Sequence, residues 1–143
     1  MPRKKQLNGS AEETEAAFYE ALSRADIDAL MALWAEDEEI VCIHPGAPRL
    51  VGHAAIRTSW EAIFERGSLH VRPVLLHATH NLMCSIHNIV EQVRQADLEP
   101  QDIHILSTNV YLKTPRGWRI ALHHASVAPG LAPKEPVRTT TLH

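Results

Sequence analysis

Apolar side chains recur every three or four residues in three stretches of the first half of the chain. The first stretch begins after Ser10 and predicts a helix over residues 11–24. Ser10 and Glu13 have the spacing of a capping box at its start. The second begins after Asp26, a residue type that caps helices, and the third predicts a helix over residues 53–66. The first half of the chain is therefore predicted to be mainly helical.

The pattern changes at Leu69. From there, four runs rich in strand-forming residues are separated by polar or turn-forming stretches: "LHVRPVLLHA", "LMCSIHNIVEQV", "IHILSTNVYLK" and "WRIALHHASV". They predict four long strands, and "IVCIH" at 40–44 predicts a short strand between the helices. Helices followed by consecutive strands indicate an α+β domain in which an antiparallel sheet curls over the helices.

Both ends of the chain lack this patterning. Residues 1–9 are polar, and residues 128–143 contain three prolines among small or polar residues, so both are predicted to be flexible tails. The residues between them, 10–127, are enough for one domain with one hydrophobic core.

Composition narrows the classes of partner. The chain has 143 residues and a formal net charge of -3, and it lacks the basic excess that a nucleic-acid surface needs. No run approaches the ~18 apolar residues of a membrane span, and the amino terminus has no secretory apolar segment. We therefore expect a cytoplasmic protein with neither nucleic acid nor membrane as a partner.

Ten histidines raise the question of a metal site, because neutral imidazole is a common metal ligand. None has H-E-x-x-H or a comparable spacing, and the two cysteines fit neither a zinc pattern nor a disulfide framework. We therefore expect no metal and no cofactor. A site assembled in three dimensions from His44, His87 and His124 is the alternative that the sequence leaves open.

The last predicted hairpin determines which side chains share a face. A turn of either two or four residues before Trp118 places Asn109, Tyr111 and His124 on the face of Trp118, with His123 on the opposite face. That face combines apolar walls with a few polar groups, as ligand pockets do, and is therefore predicted to face inward. A bulge or a three-residue loop would reverse this assignment.

The preceding strand offers a second set of polar side chains. His87 and Glu91 share one face of it, and Asn88 lies on the other. The pattern leaves open which of these faces lines a cavity.

The stretch "GWRIALHHAS", preceded by "STNVYLK" and a turn, resembles the final hairpin of the SnoaL-like branch of the nuclear transport factor 2-like superfamily. It is also similar to the association domain of calcium/calmodulin-dependent kinase II, whose last strand has a tryptophan followed at even spacing by a histidine and a serine. The matching residues here are Trp118, His124 and Ser126. "IVCIHPG" and "LVGHAAIRTSWEAIF" are similar to bacterial SnoaL-like members, so the resemblance covers roughly residues 11–127.

The resemblance implies a cone-shaped fold in which three helices pack on a strongly curved, mixed, largely antiparallel sheet around a cavity. Members usually dimerise through the outer face of the sheet. They include isomerases, dehydratases, epoxide hydrolases, cyclases and non-enzymes, so the fold leaves the reaction undecided. The isomerases use an aspartate base, and this chain has no aspartate between Asp37 and Asp97. Asn109 stands where the kinase domain has an arginine.

The function we predict is the binding of a small, partly apolar molecule in the cone cavity of a homodimer. One alternative is an isomerase, dehydratase or cyclase in which His124 or His87 carries the proton and Tyr111 donates a hydrogen bond. Another is a dimerisation or assembly module. The candidate ligand-binding residues are Trp34, His44, Trp60, Asn109, Tyr111, Trp118 and His124.

Overall fold

A computed structural model describes residues 9–94, 103–130 and 138–141 of the chain. Three helices lie in its first half: α1 (Ala11–Arg24), α2 (Ile27–Met31) and α3 (His53–Glu65). The strands are β1 (Val41–Ile43), β2 (Leu50–Val51), β3 (His70–His80), β4 (Cys84–Arg94), β5 (Ile103–Thr114), β6 (Gly117–Pro129) and β7 (Arg138–Thr141).

The helices begin where side chains can cap them. The Ser10 hydroxyl accepts from the backbone N–H of Glu13 at 3.2 Å, and the Asp26 carboxylate accepts from that of Ala29 at 3.1 Å. Helix α1 ends at Ala25, which has a left-handed backbone with φ of 51°. The predicted starts of the first two helices are confirmed.

The strands form one sheet in the order β2-β1-β6-β5-β4-β3-β7. The β1–β6 and β3–β7 pairs are parallel, and the other neighbouring strands are antiparallel. Helices cover one face of this sheet, here called the inner face. The predicted α+β fold with a mixed, largely antiparallel sheet is confirmed.

The core lies between the helices and the inner face. Helix α1 contributes Phe18 and Leu22 to it, helix α3 contributes Ile56 and Trp60, and the sheet contributes Ile120, all of them buried. This packing removes large apolar side chains from water and is the main source of the domain's stability.

Residues 128–130 and 138–141 of the predicted C-terminal tail are among the described residues. Strand β6 continues to Pro129, and β7 pairs in parallel with residues His77 to His80 of β3. Strand β7 contains three consecutive threonines, a residue type that is enriched in strands.

The β5–β6 hairpin contains one residue more on β6 than on β5. Its two-residue turn pairs Thr114 with Gly117, and Tyr111 lies opposite Ile120. The register then shifts, so that Val110 faces Leu122 and Ala121 has no partner residue on β5. This is a β-bulge, which places two residues opposite one and reverses the face of everything that follows.

The bulge overturns the predicted orientation of His124. Lys113 lies opposite Trp118, in one of the two registers that the sequence left open, but beyond Ala121 it is His123 that lies opposite Asn109 on the inner face. His124 pairs with Thr108 and is exposed on the outer face. The prediction that His124 faces inward and His123 outward is therefore wrong.

Candidate functional site

His123 is buried on the inner face, between aromatic rings. Its ring centroid lies 5.1 Å from that of Phe18 and 6.1 Å from that of Trp60. Its Nδ1 atom lies 2.6 Å from the side-chain oxygen of Asn109. Burial, with smaller contributions from His44 and His124, lowers the pKa of His123 to about 3, so the ring is neutral near neutral pH.

Asn109 lies at the centre of a row of buried polar groups. Its amide nitrogen donates to the Tyr19 hydroxyl at 3.2 Å and to a carboxylate oxygen of Glu15 at 3.4 Å. The Tyr19 hydroxyl in turn donates to the carboxylate of Glu91 at 2.8 Å. His123, Asn109, Tyr19 and Glu91 are therefore one hydrogen-bonded chain, which we call the inner row.

Glu91 is the acid of the inner row. Burial raises its pKa, the nearby charge of Glu15 raises it further, and hydrogen bonds from Tyr19 and Ser107 act in the opposite direction. Burial also raises the pKa of Tyr19 well above its ordinary value, with Glu91 adding to the effect. Tyr19 is therefore a hydroxyl donor, and Glu91 is a carboxyl group that takes up a proton more readily than an exposed one.

A second cluster adjoins the inner row through Glu15. Its carboxylate accepts from the Tyr111 hydroxyl at 2.7 Å, and His87 Nδ1 lies 3.1 Å from both of its oxygens. His87 Nε2 lies 3.0 Å from the Ser85 hydroxyl, so both ring nitrogens of this fully buried histidine have partners. Burial and the charge of Glu15 raise the pKa of Tyr111 well above its ordinary value.

The inner face becomes exposed at one end of the sheet. On β4 the exposed fraction rises from 9% at Glu91 to 38% at Val93, and on β6 it rises from 3% at Ala125 to 53% at Val127. Both valines continue the inner-facing alternation of their strands. The inner row is thus followed at this end by an apolar rim of Val93 and Val127.

The aromatic side of the site also includes His44. Its ring lies 4.7 Å from that of Trp60, and its Nε2 atom lies 2.9 Å from the Ser59 hydroxyl. Burial lowers the pKa of His44 and raises that of Cys42 to about 12, so Cys42 is a protonated thiol.

The remaining candidates divide between this site and other regions. Trp60, His44, Asn109, Tyr111 and His87 are on the inner side, and His87 rather than Asn88 faces the interior. Trp34 bridges to Ile120 before the bulge, and Trp118 packs against the core near this start of β6.

His124 borders a different feature. A hollow of about 390 Å³ is lined by residues of β3 to β6, most of them on the outer face of the sheet. The residues around it include Leu76, Asn88, Leu106, Thr108, His124 and Ser126. His124 therefore contributes to the outer face of the sheet rather than to the inner row.

The three-histidine alternative is not assembled. Across residues 9–94, 103–130 and 138–141, no group of three or more His, Cys, Asp or Glu side chains has the arrangement of a metal site. His87 is inside the fold, whereas His124 is on its outer face.

Sequence reasoning missed Glu15, Tyr19 and His123. Glu15 and Tyr19 are four residues apart on α1, and both fall on its buried face with Phe18 and Leu22. A charged residue on the apolar stripe of an otherwise amphipathic helix is the signal that identifies Glu15.

We expect the neutral state of His123 to make folding sensitive to acid. The folded pKa of about 3 lies below the ordinary value of 6.5, so between these values the unfolded chain binds a proton that the folded chain does not. The free energy of unfolding should fall with decreasing pH in this window, by up to about 1.4 kcal/mol per pH unit. Urea unfolding of wild type and His123→Phe as a function of pH measures this contribution.

The matched control is His124→Phe, which changes the neighbouring histidine on the exposed face. It should keep the wild-type pH dependence, whereas His123→Phe should flatten it. Equal slopes for all three proteins would contradict a buried neutral His123.

Comparison with known proteins identifies the family to which the chain is similar. The sequence model of the SnoaL-like domain family matches residues 11–129. No significant match was found among curated proteins. Among the helices of the described residues, none has the length and apolar character needed to cross a membrane.

Solved structures provide further relatives. A protein from Thiobacillus denitrificans, named as a calcium/calmodulin-dependent protein kinase type II association domain, is 34% identical with a TM-score of 0.78; the match covers 85% of this chain and 98% of that one. A Streptomyces avermitilis protein, named as a dehydratase of the NTF2-like family, is 28% identical with a TM-score of 0.70, covering 83% and 92%. A ketosteroid isomerase-like protein from Erwinia carotovora is 19% identical with a TM-score of 0.67, covering 91% and 99%, which shows the shared fold. The chain belongs to the SnoaL-like domain family.

Proposed function

We propose that the domain binds a small, partly apolar molecule on its inner face. The molecule would enter past Val93 and Val127 and place its polar group against the inner row. The observation that carries this proposal is the position of that row, a set of buried polar groups directly behind an exposed apolar rim. Apolar walls with a few convergent polar groups are the usual composition of ligand sites.

The chemistry of the inner row supports the same proposal. Burying the Glu91 carboxyl disfavours its ionised form, and a fully apolar side chain at that position would avoid this cost. Buried acids with raised pKa values are concentrated at functional sites. Phe18 and Trp60 supply flat apolar surface beside His123.

Benzyl alcohol is a suitable first probe, because it has one apolar ring and one polar group. In a titration followed by ¹H–¹⁵N NMR, it should shift the amide signals of Glu91, Ser107 and Val127. Val127→Trp fills the rim and should weaken binding at least about tenfold, which corresponds to about 1.4 kcal/mol.

The control is Val51→Trp, an equivalent change at another exposed valine, on the edge strand β2. It should leave the affinity unchanged. Equal affinities of wild type and Val127→Trp would show that the probe does not enter at the rim.

Proton transfer is a second candidate function, and the raised pKa of Glu91 is the observation that favours it. The histidines are less suitable carriers, because His124 faces outward and both ring nitrogens of His87 have partners. The relative from Streptomyces avermitilis is named as a dehydratase, and dehydration requires the removal of a proton from the substrate. In such a reaction Glu91 would be the base and the Tyr19 hydroxyl the hydrogen-bond donor.

Acetophenone in D₂O tests this candidate, because base catalysis exchanges the protons beside its carbonyl group. We expect the wild-type protein to raise the exchange rate measured by NMR above that of buffer and Glu91→Gln to remove the increase. His124→Ala should retain it. An exchange rate equal to that of buffer would count against proton abstraction at Glu91.

Self-association is favoured by the outer face of the sheet. Its exposed or half-buried apolar side chains are Ile86, Leu106, Val110, Leu112 and Leu122. Several exposed apolar side chains on one face of a sheet are typical of protein interfaces. We propose a homodimer that covers this face, and the relative named as an association domain supports that proposal.

Light scattering on the eluting protein tests the dimer. The wild-type mass should be twice the chain mass of 16.0 kDa. Leu106→Asp places a charge in the proposed interface and should give the mass of one chain, whereas Leu82→Asp, at a site 87% exposed in the β3–β4 turn, should not. A wild-type mass of one chain at micromolar concentration would contradict the dimer.

A further inference from the structure

The buried polar groups of the domain have a marked charge bias. Among the described residues, the buried side chains that can carry charge are Glu15, Glu91, His87 and His123, and no lysine or arginine is buried. A ligand on the inner face would therefore meet two carboxyl groups and no permanent cation. An anionic group entering there would lose its hydration without gaining a positive partner, which is costly in a low-dielectric interior.

The donors of the inner row are already used within it. The Tyr19 hydroxyl donates to Glu91, and the Asn109 amide nitrogen donates to Glu15 and Tyr19. The orientation of the Asn109 amide follows from its two partners, because the Tyr19 hydroxyl gives its own hydrogen to Glu91 and the Glu15 oxygen also accepts from Tyr111. The side-chain oxygen of Asn109 must then point at His123.

This orientation determines the tautomer of His123. Its Nδ1 atom lies 2.6 Å from an oxygen that can only accept, so Nδ1 carries the hydrogen. A neutral imidazole with a hydrogen on Nδ1 has a free lone pair on Nε2. The group that the inner row leaves for a ligand is therefore an acceptor, on a ring that lies between Phe18 and Trp60.

The same region also contains a donor that lacks a strong acceptor. The indole N–H of Trp60 is buried and makes no hydrogen bond to an oxygen or nitrogen atom, and its partner is the Cys42 thiol, which is a weak acceptor. The Trp60 ring lies 6.1 Å from that of His123. A hydroxyl group matches both partners, because it donates one hydrogen bond and accepts others, whereas a carboxylate or an ether oxygen only accepts.

We infer that the ligand of the inner face is a neutral molecule with a hydroxyl group, which donates to Nε2 of His123, and that carboxylates are rejected. The inference rests on the proposed binding function and adds the chemical class of the ligand to it. Three features point to the same group: the free acceptor of His123, the indole N–H of Trp60 with only a weak thiol acceptor beside it, and the absence of a buried lysine or arginine among the described residues.

Three probes with one ring and different polar groups test this inference. Benzyl alcohol can donate and accept, benzyl methyl ether can only accept, and benzoate is an anion. Dissociation constants from NMR titration of the wild-type protein should be at least about tenfold higher for the ether and for benzoate than for the alcohol. This comparison uses the wild-type chain and does not depend on a variant that folds.

Two variants test whether His123 is the acceptor that distinguishes the alcohol from the other probes. His123→Phe keeps a ring between Phe18 and Trp60 but removes the acceptor, so its affinity for the alcohol should fall to that for the ether. His124→Phe should bind all three probes as the wild type does.

The results distinguish a failure of the hydroxyl inference from a failure of the proposed binding function. Ether or benzoate binding as tight as that of the alcohol, and weakened by Val127→Trp, would overturn the hydroxyl inference and leave the binding function intact. No binding by any probe, or binding unaffected by Val127→Trp, would contradict the binding function and the inference with it.

Discussion

One extra residue in β6 is the constraint on which the interior depends. Before Ala121, the backbone of Ile120 bonds to Leu33 and Ala35, each at 2.8 Å. After Ala121, β6 pairs with the parallel strand β1 from Leu122 onward. The bulge lies where the neighbour of β6 changes from the Leu33–Ala35 segment to strand β1. It allows both Ile120 and His123 to face inward, which an unbroken alternation could not do across an interval of three residues.

The buried polar side chains form their hydrogen bonds mainly between α1 and the sheet. Glu15 and Tyr19 reach β4 and β5, so the packing of one helix provides partners for His87, Tyr111, Asn109 and Glu91. The raised pKa of Glu91 means that the folded state holds its proton more readily than the unfolded state, so its contribution to stability is lost as pH rises above the ordinary value of 4.5. His123 acts in the opposite direction, since its contribution is lost as pH falls from 6.5. The two buried groups therefore limit the stable pH range from both sides.

The sequence was sufficient for the architecture because that architecture follows from local signals. Capping residues set the starts of α1 and α2, and strand-forming runs separated by turns gave the long strands. The faces of β6 were not predictable in the same way. The alternation of side chains is a local rule, whereas the bulge at Ala121 depends on where the Leu33–Ala35 segment and β1 dock along β6. Glu15 was missed because a glutamate in a helix is usually solvated, and only the tertiary fold shows that Tyr111 and His87 meet it.

The chemical character of His123 follows from two side chains of a different element, α1. The Asn109 amide presents its nitrogen to Glu15 and to the Tyr19 hydroxyl, whose own hydrogen goes to Glu91, and it therefore presents its oxygen to β6. That oxygen requires a hydrogen on His123 Nδ1, and because burial keeps the ring neutral, Nε2 is left as an acceptor. Side chains of α1 thus determine, through Asn109 on β5, which nitrogen of His123 on β6 carries the hydrogen. Because Tyr19 holds the same amide nitrogen as Glu15, two acceptors on α1 together maintain the tautomer on which recognition of a hydroxyl depends.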